Sequence, residues 1–253
     1  MKIGILTIAT GKYIQFVRPL YESMVANFLP GIDKASCYWT DNPPELGKQI
    51  PVDGKGCVTP KGTIIHTTKI ERRGFPGDTL YRYHYFLMQE QALRAMDLLF
   101  YFDADMLVHS PVTVDGDLAP LLKGEVKYAF TMHPGFTWNG QMGSFETRIE
   151  SRAWVSPSHR RSHPYVAGGF NGGQAEAFLE MSRHIKRAVD EDVAKGITAV
   201  WHDESYLNAC HAEELMGINR IILHPGYCYP ESWVLPFHKY ILALDKNHAE
   251  VRS

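Results

Sequence analysis

Residues 98–107 read LLFYFDADML, and the passage from an apolar run to paired carboxylates decides how the chain is read. Leu98 to Phe102 show no polar alternation and are rich in aromatics, which predicts a strand buried on both faces, as inside a parallel sheet. Side chains alternate along an extended chain, so Asp103 and Asp105 project to one side if the geometry persists through Ala104. Two like charges that close repel and are costly to desolvate unless something positive sits between them. Mg2+ or Mn2+ suits such a pair and leaves coordination positions for phosphate oxygens and water. An Asp-x-Asp alone also fits a solvated turn; its place at the end of a buried strand favours the metal.

Upstream, Ile3 to Ala9 reads as a first buried strand, followed by a loop at Thr10–Lys12 and a helical pattern from Tyr13 to Phe28, with Pro19 in its first turn or kinking it. Ser36 to Thr40 and Thr63 to Ile70 read as further strands. Asp78 is expected to cap a helix over 79–96 that delivers the chain into LLFYFDAD. This alternation predicts an α/β domain with an open, mostly parallel sheet, whose ligands gather beyond the carboxyl ends of the strands. Downstream, 138–164 is polar and aperiodic and reads as loops. The glycine-rich GGFNGG (168–173) leads into a helix over 174–195, another helix begins near Glu204, and the tail over 242–253 is read as mobile.

Composition sets bounds. The chain has 253 residues, 45% hydrophobic and 21% charged, with net charge −2, enough for a sizeable core and no electrostatic case for nucleic acid or an anionic membrane as main partner. Cys37, Cys57, Cys210 and Cys228 form no CxxC pair, which argues against a zinc ribbon or thioredoxin-like motif and for thiols in a reducing compartment. The apolar start IGILTIAT is too short to span a membrane and lacks the features of a signal peptide, so a soluble, cytoplasmic protein without a membrane anchor is expected.

A second concentration of chemistry is WHDES (201–205). Asp203 there reads as an N-cap or as part of a sugar site, in which Trp201 offers a flat apolar face and Glu204 a carboxylate near an anomeric carbon. GGFNGG is neither GxGxxG nor a P-loop and reads as tight backbone packing or as small residues, Ala167 included, that let a bulky ligand approach. His133 in HPGF reads as a satisfied loop histidine or a hydroxyl partner. His159 and His163 have zinc-like spacing, but no further ligands cluster with them in sequence.

The ordered segments FDADM, HPGF, YVAGGFNGG, WHDESYLN and KNHAEVR resemble glycosyltransferase family six, which includes the histo-blood-group A and B transferases and the α-1,3-galactosyltransferases, and the resemblance runs from IATGKY to the tail. It implies a single GT-A catalytic domain over 1–253, with a nucleotide-binding half over about 1–110, an acceptor-binding half over about 111–240 and a tail over 241–253. It implies a retaining hexosyltransferase moving N-acetylgalactosamine or galactose from UDP to a glycan acceptor with α-1,3 linkage, and slow donor hydrolysis without acceptor. By match, Asp103 and Asp105 engage the metal and, with Ala104, the donor. Ile8, Ala9, Thr10 and Tyr13 cradle uridine, and Asp203 holds the donor sugar. Lys246 and Arg252 close over the diphosphate, and His133, Trp201 and Glu204 meet the acceptor, Glu204 also being the candidate nucleophile or ion stabiliser. Arg82 is one place from the family's donor-contacting arginine, and Asn171 replaces an aromatic. Ala167, Gly168 and Gly169 bind the donor, and the small residues at Ala167 and Gly169 leave room for an acetamido group, favouring UDP-N-acetylgalactosamine over UDP-galactose. The sequence most resembles soluble microbial members, many of which carry asparagines where this chain keeps DxD. Two alternatives stand beside this one: a non-catalytic nucleotide-sugar-binding module and a metal-dependent phosphohydrolase.

Overall fold

A computed structural model describes residues 1–50, 64–214 and 219–251. The chain opens with strand β1 (Lys2–Ile8), a 3-10 turn over Gly11–Phe16 and helix α1 (Val17–Asn27), so Pro19 falls in the first turn, where its missing N–H costs nothing. β2 (Asp33–Thr40) ends at Asn42, whose side chain accepts from Glu45 N–H (3.2 Å) and caps α2 (Pro43–Gln49). β3 (Ile64–Lys69) follows; Cys57 and Thr63 lie outside the described residues.

The single helix expected over 79–96 is instead three short ones, α3 (Gly77–Leu80), α4 (Arg82–Leu87) and α5 (Glu90–Leu93). Arg82, Tyr83, Tyr85 and Phe86 are all buried, which one face of a regular amphipathic helix cannot achieve, so the axis turns between segments. Asp78 is not the N-cap. It lies inside α3 and accepts from Thr10 Oγ1 (2.8 Å) and Arg73 N–H (2.7 Å), tying the first loop to the segment before α3.

β4 (Leu98–Phe102) is fully buried, as its apolar run predicted. β5 (Met106–Val108), α6 (Ala119–Leu122), β6 (Tyr128–Met132) and α7 (Pro157–Ser162) come next. Then GGFNGG, read as tight backbone packing before a helix, proves also to be a strand. It lies within a nine-residue strand, β7 (Val166–Gln174), and runs straight into α8 (Ala175–Ala194). The glycines are there for space: a Cβ on Gly172 would lie 2.3 Å from Phe100 Cδ1 and 2.7 Å from Leu99 O. The chain closes through α9 (His202–Ala212), β8 (Arg220–Leu223), β9 (Tyr229–Pro230), β10 (Ile241–Ala243) and α10 (His248–Val251).

The main sheet has the order β3-β2-β1-β4-β7-β6-β8. β3, β2, β1 and β4 are parallel, β8 is parallel to β6, and β7 alone runs antiparallel to both neighbours, β4 and β6. The architecture is α/β with a mostly parallel sheet, as expected. One apolar cluster with Phe28, Phe100, Phe102 and Phe170 fills one side of this sheet; another with Phe86, Tyr101 and Phe178 fills the other. A small second sheet, β5-β10-β9, ties the base of the tail to the strand just after Asp105. Among the described residues no helix is long and apolar enough to cross a membrane.

Candidate active site

Beyond the carboxyl ends of β1 and β4 lies a cavity of ≈ 320 Å³. Ile8, Thr10 and Tyr13 line it from the first βα turn, and Asp103, Ala104 and Asp105 from the end of β4. Gly168 and Gly169 enter from β7, Trp201, Asp203 and Glu204 from the start of α9, and Lys246 from the tail. Residues from five separate segments therefore converge where an open α/β sheet presents its ligand crevice.

Arg82 organises the centre. Only 4% exposed, its guanidinium donates through Nη2 to Asp103 Oδ1 (2.8 Å), and Nη1 lies 2.8 Å from Gly168 O and 2.9 Å from Asp203 Oδ2. Its Cζ sits 4.0 Å over the Tyr101 ring, and the Tyr101 hydroxyl donates to Asp103 Oδ1 at 2.6 Å. A planar fork is what allows one cation to serve two carboxylates and a carbonyl. Asp203 is thus a buried counter-ion and not a solvent-facing cap. Burial raises its carboxyl to about 7, opposed by Arg82 and reinforced by Asp103 and Glu204.

Glu204 follows a sharp turn: His202 has φ +50, a left-handed conformation that redirects the chain so that both acids face inward. Glu204 Oε1 accepts from the Tyr165 hydroxyl (2.8 Å) and Oε2 from Gly168 N–H (2.8 Å). Burial raises the Glu204 carboxyl and those two donors draw it back. Gly168 can serve Glu204 and Arg82 together because β7 bulges there: pairing with β6 jumps from Phe130↔Asn171 to Thr131↔Ala167. Asn171 closes the bulge, donating through Nδ2 to Gly168 O at 3.1 Å.

Asp105, 4% exposed, forms an ion pair with Lys246. Its Oδ2, buried from solvent, is the oxygen that faces the Lys246 ammonium. Among those residues no three His, Cys, Asp or Glu side chains converge as a cage. The donors at hand are the two carboxylates, one of them with a desolvated oxygen already facing a cation. That set fits a hard divalent ion completing its shell with ligand oxygens and water.

Other expected residues stand farther out. Ala9 and Ala167 are buried in the core and do not line the cavity. Space beside Gly169 is already taken, since a Cβ there would meet Met106 Cε at 2.6 Å and Cys228 Sγ at 3.4 Å. His133 is also outside the lining: its Nδ1 accepts from Gly135 N–H (3.0 Å), its ring packs 5.7 Å from Tyr165, and burial lowers it to about 4. Trp201 is 49% exposed and anchored through Nε1 to Ser144 Oγ (2.7 Å). Arg252 lies outside the described residues. His159 and His163 pair with Glu213 and Glu214, away from the cavity. Tyr101, Tyr165, Phe75 and Asp78 were missed; of these only Tyr101 had a signal, being two residues before Asp103 and so on its side of the strand.

Residues 1–253 match glycosyltransferase family 6. The chain belongs to that family. It is 26% identical over 265 residues to histo-blood group ABO system transferase 1 of Rattus norvegicus, covering 99% of this chain and 68% of the relative. It is 26% identical over 266 residues to globoside alpha-1,3-N-acetylgalactosaminyltransferase 1 of Gallus gallus, covering 100% and 70%. A bacterial relative, the O-antigen biosynthesis glycosyltransferase WbnI of Escherichia coli, is 25% identical over 236 residues, covering 92% and 90%. The sheet just described is consistent with a GT-A glycosyltransferase fold, and membership of family 6 implies a nucleotide-sugar donor and a glycan acceptor.

Proposed function

We propose that this family 6 glycosyltransferase is a metal-dependent retaining enzyme that transfers N-acetylgalactosamine or galactose from its UDP donor to a sugar hydroxyl, forming an α-1,3 linkage. The observation that carries this reading is the convergence of Asp103, Asp105, Arg82, Asp203 and Glu204 on one cavity beyond β4. Asp103 and Asp105 would hold Mn2+ or Mg2+, which would supply positive charge to the departing diphosphate. The remaining roles belong to the chain itself. Tyr13, Thr10 and Ile8 offer the nucleoside wall at the first βα turn. Lys246, poised at Asp105, brings a second positive charge to the phosphates. Asp203, fixed by Arg82, accepts hydrogen bonds from donor-sugar hydroxyls. Glu204, next to Asp203 in the cavity lining, stabilises or attacks the oxocarbenium-like centre. Trp201 gives the acceptor an apolar face.

A donor with an acetamido group, in keeping with the name of the globoside relative, would need Met106 to swing aside, because its Cε fills the space beside Gly169. The test is release of UDP from UDP-N-acetylgalactosamine, UDP-galactose and their gluco epimers, with and without Mn2+, against a panel of glycan acceptors. Acceptor-dependent, Mn2+-stimulated UDP release from a galacto-configured donor is expected. Donor binding without turnover, or phosphate release from UDP itself, would refute the proposal.

A further inference from the structure

We propose that Tyr165 is a positioning residue for Glu204: its hydroxyl holds Glu204 Oε1 in place while Gly168 N–H holds Oε2, so that the carboxylate is presented in a single orientation. This rests on the role given to Glu204 above, but its test does not depend on turnover.

The geometry is specific. Both oxygens of Glu204 are engaged by neutral donors at 2.8 Å, while the nearby guanidinium of Arg82 is committed to Asp103, Asp203 and Gly168 O. Glu204 therefore relies on hydrogen bonds and not on a direct ion pair, and donors at both ends favour the charged form of a carboxylate against the pull of burial.

Tyr165 is fixed more firmly than that single bond requires. It is fully buried, and its ring packs edge-on against Phe136 (5.4 Å), Phe145 (4.9 Å) and His133 (5.7 Å). Its N–H donates to Thr137 Oγ1 (3.1 Å), and its carbonyl accepts from His133 N–H (2.9 Å). Gly143 makes the room: a Cβ there would come within 2.1 Å of Tyr165 Cβ. A ring so enclosed cannot swing its hydroxyl away, so the donor is preorganised before any ligand arrives. The HPGF segment, through His133 and Phe136, thus reaches Glu204 by way of Tyr165. The other ionisable groups facing Glu204 are Arg82 on α4, Asp103 beyond β4, Asp203 on α9 and Cys228 before β9; Tyr165→Phe alters none of them.

Tyr165→Phe keeps the packed ring and removes only the donor. Glutamate labelled with 13C at Cδ reports the Glu204 titration by NMR, assigned by loss of its signal in Glu204→Gln. With the bond gone, the carboxylate loses stabilisation and its midpoint should rise by about one to two pH units. In the working enzyme the acid limb of kcat/KM should move the same way, with kcat down roughly 10- to 100-fold and donor KM little changed. A Glu204 midpoint that stays put in Tyr165→Phe overturns the proposal, whatever happens to stability. A midpoint that rises in a protein that turns over no UDP-sugar upholds the positioning role and refutes the proposed transfer instead.

Discussion

Arg82 Nη1 lies 2.9 Å from Asp203 Oδ2, and both side chains are almost wholly withdrawn from solvent. The same guanidinium holds Asp103, so one cation keeps together two acids that are 100 residues apart in sequence. Arg82→Leu would leave both carboxylates facing each other with no counter-charge. It should lower the unfolding free energy by about 3–5 kcal/mol, read by urea denaturation. Arg82→Lys keeps the charge but cannot fork, so it should recover part of the stability while turnover stays at least about tenfold down.

Glu204→Gln keeps the hydrogen-bonding shape and removes the charge. UDP release should fall by about 10²-fold or more, with UDP affinity by calorimetry changed no more than about threefold. Equal activity would remove Glu204 from the mechanism.

Asp105→Asn tests the proposed cation. Titrating Mn2+ into the UDP-bound protein should show binding in the parent chain and its loss in the variant, because a neutral amide is a poor ligand for a hard ion. An unchanged Mn2+ response would contradict the metal assignment.

Asn171→Leu removes the side-chain donor that closes the β7 bulge, and with it a buried Oδ1 that has no hydrogen-bond partner among the described residues. Losing a bond and an orphan acceptor together is nearly neutral, so stability should change by less than about 1 kcal/mol. Gly168 O is then held by Arg82 alone, however, and kcat should fall roughly tenfold as the loosened bulge lets its N–H drift from Glu204. Equal losses of stability and activity would count against this role.

His211, 2% exposed, has its ring lowered to about 3 by burial, with Arg220 and His163 adding to the effect and a contact to Pro164 O opposing it. Unfolded, it titrates near 6.5. Between those values the unfolded chain binds the extra proton, so stability is fully present above pH about 6.5 and is lost as pH falls towards 3, by up to about 1.4 kcal/mol per pH unit. His211→Gln should flatten that slope in urea titrations at pH 5 and 7.

What the sequence disclosed follows period and burial. LLFYF could only be an inner strand, and DAD at its end lies where the cavity opens; the first βα unit and α8 were equally plain. Local rules failed where tertiary demands overrode them. GGFNGG is poor strand material by propensity, yet Phe100 and Leu99 press so closely on Gly172 that only a bare backbone fits as the strand between β4 and β6. The 79–96 helix broke because buried aromatics fall on more than one of its faces. Tyr165 carried no signal, since its partner Glu204 is 39 residues away and the two meet only once β7 and α9 pack.

Leu244 N–H donates to the carbonyl of Asp105 (2.9 Å), directly after the strand that pairs β10 with β5. Lys246 is thereby leashed: two residues of extended chain reach at most about 7 Å. The lysine stays in the neighbourhood of Asp105 for as long as that pairing holds. If the proposed diphosphate site is right, lengthening the Leu244–Lys246 spacer should shorten the time the spent nucleotide is held.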